Sequence, residues 1–131
     1  MTFRFDAVRN FSSVSFHANN QRSRDVRVFR AARLTFSGGV DAASGGGRRS
    51  RTVNYSYVRD DVMEYARVIP VALHHHVGDH VTVRLYFDDR WIMISEVQFQ
   101  SGTPDTQHTH HTVHYNTMEE VICAPSYRVT R

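Results

Sequence analysis

DDRWIMISEVQFQS, residues 88–101, is the most apolar run of the chain and reads as a strand entered through an acidic turn. Ser95 and Glu96 stand in its middle. A buried, unpaired carboxylate costs several kcal/mol or stays protonated. Glu96 therefore has to be exposed, paired with an arginine, or bound to a cation. Carboxylate and hydroxyl oxygens are hard donors that suit Ca²⁺, but that ion takes six to eight of them. Composition alone favours an arginine partner. Trp91, Val97 and Phe99 read as core side chains of this strand, with the Trp91 N–H finding a partner; the other reading of Trp91 is a ligand-facing aromatic.

Working outward, period-two alternation dominates and no segment keeps helical periodicity for three turns. Short strands are expected at FRF (3–5), SVSFH (13–17), VRVF (26–29), RLTF (33–36), TVNYSYV (52–58), RVIPVAL (67–73) and HVTVRLYF (80–87), with VGD (77–79) as a turn. Pro70 lacks a ladder donor, which places its strand at an edge or a bulge. DDVMEYA, 60–66, suits one helical turn because of its acidic start. Turn signals every 8–12 residues indicate an all-β sandwich or barrel, with six to eight strands before residue 101. The Gly-rich stretch 37–50 reads as a surface loop. From residue 102 the texture is polar, and 102–131 reads as a flexible, disordered tail in which MEEVI, 118–122, forms at most a short helix.

The chain has 131 residues, a formal net charge of +3 and 40% hydrophobic residues, which fits one domain, 1–101, followed by the tail. All 16 basic residues are arginine, spread over strands and loops. Nucleic-acid proteins cluster theirs, so no nucleic-acid partner is expected. Cys123 is the single cysteine, which excludes an internal disulfide. No stretch reaches the ~18 apolar residues of a membrane span, and no secretory leader opens the sequence.

Nine histidines invite a metal reading. His108, His110, His111 and His114, with Cys123, offer soft and borderline ligands, but a flexible segment gives neither fixed geometry nor a second shell. Weak adventitious binding is the expectation. His74–His76 read as a solvated strand end. Asp60–Asp61 and Asp88–Asp89 read as turn residues. No nucleophile elbow or phosphate loop is present. Asn10 and Asn54 begin N-x-[ST] sequons, which count only if the protein is secreted and both side chains are exposed.

FRFDAVRNFSSVSFHANN, RVIPVALHHHVG and above all LYFDDRWIMISEVQFQS resemble the membrane-proximal discoidin-like domain of the discoidin domain receptors, the collagen-activated receptor tyrosine kinases. The likeness runs over residues 3–101. It implies an eight-stranded jelly-roll β-sandwich on the extracellular face of the plasma membrane, without its first strands here. Collagen is bound by another domain of the parent, dimerisation accompanies signalling, and the kinase lies elsewhere, so this chain is expected to be no enzyme. The resemblance also implies a structural calcium ion, with Ser95 and Glu96 as part of its shell and the other ligands upstream of the matched residues. A disulfide of the family falls on Leu34 and Val83, and another of its cysteines on Ala18. The alternative to a receptor fragment is a free-standing carbohydrate- or ligand-binding β-sandwich.

Overall fold

The computed structural model describes residues 1–38 and 50–102 in full and, beyond them, the backbone of 111–115 and 121–123. The strands in chain order are β1 (Thr2–Ala18), β2 (Ala31–Ser37), β3 (Arg51–Ser56), β4 (Arg67–Tyr86), β5 (Ile92–Gly102), β6 (His111–Tyr115) and β7 (Val121–Cys123). The described strands pair antiparallel, in the order β3-β2-β4-β1-β5-β6, with β7 also on β5. The fold is all-β, as the alternation requires.

Five strands, rather than six to eight, carry the chain to residue 102: β1 and β4 each run through a point where the pattern predicts a break, and 26–29, expected as a strand, makes only isolated bridges at Val26. Between the pairs Arg4↔His80 and Arg9↔Gly78, residues 5–8 of β1 face the single residue Asp79 of β4. Between Phe11↔His76 and Ser13↔Ala72, the surplus passes to β4, where residues 73–75 face Ser12. Bulges of this kind bend a strand and let it pass from one layer to another. The turn expected at 77–79 is thus a corner inside β4. Gly78 sits at that corner, and a Cβ there would lie 2.7 Å from the Ser37 carbonyl oxygen, so the close approach of β2 requires glycine.

The corner makes a sandwich from one hydrogen-bonded sheet. One layer holds β5, the second half of β1 and the first half of β4; the other holds β3, β2, the second half of β4 and the start of β1. Rings from the two layers meet edge-on, Phe3 on Phe99 with centroids 5.1 Å apart, and Phe16 meets Phe29, from the segment before β2, at 5.4 Å. Phe11 reaches Phe36 at 5.7 Å. Offset and edge-to-face pairs are the favoured aromatic geometries.

Val97 and Phe99 are buried in this core. Trp91 is not: it is half-buried, outside the core cluster, and forms an isolated bridge to Val26 before β5 begins. Its backbone is committed to the 25–27 segment, with N–H to the Asp25 carbonyl at 3.0 Å and its carbonyl to the Arg27 N–H at 3.1 Å, which holds the indole at the rim. Pro70 lies in an internal strand, yet the pairing of β4 with β2 begins only at His80, so at Pro70 the sole paired neighbour among the described strands is β1. The edge placement demanded by proline holds locally.

Most of the Gly-rich loop, 39–49, lies outside the described residues, as do 103–110, 116–120 and 124–131. Within the segment read as a tail, β6 and β7 both pair with β5, and Val121–Cys123 is strand where a helical turn was expected nearby.

Candidate functional site

Residues 57–66, YVRDDVMEYA, join β3 to β4 without regular secondary structure. The helical turn expected at 60–66 does not form, because the groups it would use are engaged elsewhere. The Met63 carbonyl accepts two donors, Asn20 Nδ2 at 2.9 Å and Arg67 Nη2 at 2.8 Å. Asp60 Oδ1 accepts the Val62 N–H at 2.9 Å, and its Oδ2 accepts Arg67 Nη1 at 2.7 Å. Tyr57 anchors the start of the segment, its N–H donating to the Arg30 carbonyl at 2.9 Å.

The two acidic turns, Asp60–Asp61 and Asp88–Asp89, meet around a pair of arginines. Arg27 donates through Nη1 to Asp61 Oδ1 at 2.6 Å and through Nε to Asp89 Oδ2 at 3.1 Å. Arg59 Nε lies 2.7 Å from Asp61 and 3.5 Å from Asp88. Glu64 accepts the Ser23 N–H at 2.8 Å and the Ser23 hydroxyl at 3.1 Å. These donors favour the ionised carboxylates. Asp61 is held below the usual carboxylate range by Arg27 and then Arg59, Asp60 by the Val62 N–H and then Arg67, and Glu64 by the Ser23 N–H. Each carboxylate of the network is paired with an arginine or a backbone N–H.

Apolar side chains of the segment stand exposed alongside its charged ones. Val58 is 87% exposed, Val62 85% and Met63 57%; Tyr65 and Val68 are also exposed. The Arg67 guanidinium lies 4.2 Å from the Tyr65 ring centroid, so it ties the aromatic to the same network.

The Ser95–Glu96 question is answered by register. His17 faces Glu96 and Ala18 faces Ile94, so Ser95 is an extra residue on β5. The bulge reverses the alternation: Ile92 and Ile94 point into the core before it, Val97 and Phe99 after it. Ser95 is exposed and Glu96 half-buried, both off the core face. The Ser95 hydroxyl donates to the His17 carbonyl at 3.3 Å. Among the described residues no three His, Cys, Asp or Glu side chains gather in a group that could hold a metal ion. The tail histidines of the metal reading lie outside the described residues or, as His111 and His114 in β6, are placed by backbone alone.

A family model for the DS-like domain of discoidin domain-containing receptors 1 and 2 matches residues 1–101. The chain belongs to the discoidin domain receptor family. It is 27% identical over 104 residues to the Caenorhabditis elegans discoidin domain-containing receptor tyrosine kinase B, covering 78% of this chain and 12% of the relative. Against epithelial discoidin domain-containing receptor 1 it is 30% identical in Rattus norvegicus and 31% in Mus musculus, each over 101 residues, 77% of this chain and 11% of the relative. The matched region of this receptor family is the DS-like domain and not a kinase domain.

The receptor resemblance put a family disulfide on Leu34 and Val83. The two residues are direct partners across β2 and β4, both buried. The sequons divide. Asn54 is exposed on β3 and accepts Arg33 Nε at 3.3 Å. Asn10 lies within β1, flanked by Val77 of β4 and Gly102 of β5, half-buried with Oδ1 shut off from solvent and without a partner. Of the two, Asn54 is the more exposed.

Sequence reasoning saw the four aspartates but assigned each pair to its own turn. Their convergence on Arg27 and Arg59 joins residues 27 and 89 and carries no local signal. The bulge did have one: the apolar positions of β5 change parity between Ile94 and Val97.

Proposed function

We propose that this chain is an extracellular module of a collagen-responsive receptor tyrosine kinase, with a structural and signal-transmitting role and no catalysis of its own. The observation that supports the reading is the match of residues 1–101 to the DS-like domain of these receptors. The site agrees with it in kind: the carboxylates of the candidate site are held in ion pairs and backbone hydrogen bonds that fix a surface loop. Among the described residues no helix is long and apolar enough to cross a membrane. In this reading collagen is engaged by a separate discoidin domain of the parent, on the outer face of the plasma membrane, and phosphorylation belongs to its kinase. The DS-like module sets the geometry between them. Sequencing the full-length transcript tests this. A discoidin domain upstream with a membrane helix and kinase downstream is the expected result; a transcript that encodes these residues alone overturns it.

A further inference from the structure

The outer face of the layer built from β3, β2, the second half of β4 and the start of β1 carries positive charge that its own strands do not answer. No aspartate or glutamate occurs in residues 2–4, 31–37, 51–56 or 80–86. With Leu34, Phe36, Val81 and Val83 in the core, parity turns Arg33 and Arg84 outward, and the register sets them directly opposite each other. Like charges at such a pair destabilise a sheet. Both side chains are exposed, and among the described residues no carboxylate pairs with either. Arg33 commits its Nε to the Asn54 side-chain oxygen at 3.3 Å, and Arg30 commits its own to the Phe87 carbonyl at 3.0 Å, which leaves the Nη groups of both for a ligand. The guanidinium carbons of Arg30 and Arg84 lie 5.6 and 5.5 Å from the Tyr86 ring centroid, so one aromatic gathers two cationic heads. Next to this row Thr52, Thr35, Thr82 and Thr2 stand side by side across four strands. Beyond them Arg4 faces His80, and Asp79 lies in the corner of β4 against His80 Nδ1 at 2.5 Å.

We propose that this face binds a sulfated polysaccharide, a chain whose sulfate esters recur at intervals along an extended backbone. Guanidinium forks match the oxygens of tetrahedral oxyanions, and an anion placed among Arg30, Arg33 and Arg84 turns their mutual repulsion into attraction. The threonine row offers hydroxyls that both donate to and accept from sugar hydroxyls. Arg84 and His80 are four residues apart along β4, about 13 Å, a span that suits an extended polyanion rather than one small anion. Single-stranded nucleic acid stacks its bases on open aromatic rings; Tyr86, the aromatic of this row, already has a guanidinium from Arg30 and another from Arg84 against it. A membrane surface is gripped by charge together with inserted apolar side chains, and the neighbours of these arginines on the face are threonine and asparagine. The inference rests on the face alone and goes beyond the receptor reading; either can fail without the other.

Titration of a fluorescein-labelled heparin decasaccharide with the full chain, from about 50 to 300 mM NaCl, tests it. The chain is made without glycosylation, because Asn54 borders the face, and the pH is held near 7.5, where histidines are ordinarily neutral. Binding is expected, with a slope of log affinity against log salt of about −2 to −3. Arg33→Gln with Arg84→Gln is expected to weaken it at least tenfold and to flatten the slope by about one or more, with no fall in the thermal midpoint, since a like-charged pair is removed. Arg84→Gln alone, with a loss of about threefold or more, gives the same reading should the double variant lose its fold. Arg24→Gln with Arg90→Gln removes the same charge from exposed positions outside these strands and is expected to leave the affinity within about twofold. A wild-type chain that does not bind at the lowest salt overturns the proposal. So does an equal loss in the charge-matched control, or binding that survives the folded Arg33 and Arg84 variants. Single-stranded DNA or phosphatidylserine vesicles held as tightly as heparin through the same arginines would also overturn it.

Discussion

Leu34 and Val83 face each other across β2 and β4, both buried. Val83 exchanges backbone hydrogen bonds with Met1 on its other side, 2.7 Å from its N–H and 2.9 Å to its carbonyl. A strand residue points its N–H and C=O the same way, so toward β2 Val83 is at a non-hydrogen-bonded position, where opposed side chains are nearest. Two cysteines at such a pair lie within bridging distance. Leu34→Cys with Val83→Cys, in a Cys123→Ser background, is expected to oxidise to an intramolecular disulfide and to gain about 2–4 kcal/mol over its reduced form. Mass under non-reducing conditions and melts with and without reductant check this. Two persistent free thiols in a folded chain would refute the pairing.

Phe99 touches Phe3, Phe5 and Phe11 and is fully buried, whereas Trp91 sits half-buried at the rim. Phe99→Ala is expected to cost about 3–5 kcal/mol by leaving a cavity between the layers. Trp91→Ala, though it removes the larger ring, is expected to cost under about 2 kcal/mol. Denaturant melts of the two variants decide the order, and a greater loss for Trp91 would place the core elsewhere.

His74 and His75 have φ of 54° and 58° in the bulge of β4. The left-handed region costs a non-glycine residue about 1–2 kcal/mol, and glycine avoids that strain at some entropic cost. His75→Gly is expected to stabilise the fold by roughly 1 kcal/mol, and His74→Gly likewise. His76 is to be left in place, since its ring holds the Leu73 carbonyl and packs on Phe36. A loss of stability on either substitution contradicts the strain assigned to the bulge.

Asp60, Asp61 and Glu64 have folded pKa values below their ordinary ones. A group depressed on folding contributes its full stabilisation above its unfolded pKa and loses it as pH falls through the folded value. The melting temperature is therefore expected to hold near neutrality and to fall below about pH 4. Asp61→Asn is expected to lower it at pH 6 and to flatten part of the acid slope. Equal midpoints at pH 6 and pH 3 for the wild type would mean that the network contributes nothing.

Secreted from animal cells behind a supplied leader, the chain is expected to carry a glycan on Asn54 and none on Asn10. Asn54→Gln should remove the mobility shift given by glycosidase treatment, and Asn10→Gln should leave it. Glycopeptides covering Asn10 would show that β1 is open where it is drawn closed.

Alternation by itself determined the all-β class, the burial of Val14, Phe16, Leu34, Val83, Val97 and Phe99, and the need for Pro70 to have a free side, because side-chain parity along a strand is a local property. The motif at 86–101 carried the family. Only the tertiary structure decided that 3–5 and 13–17 are one strand, as are 67–73 and 80–87, bent at a shared corner. It alone drew Asp60 and Asp61 onto Arg67 and Arg27, and it placed Trp91 at the rim. Parity tells a residue which face it shares with its neighbours; it does not tell which strand lies opposite. Salt bridges between residues 27 and 61, or 27 and 89, exist only once that choice has been made.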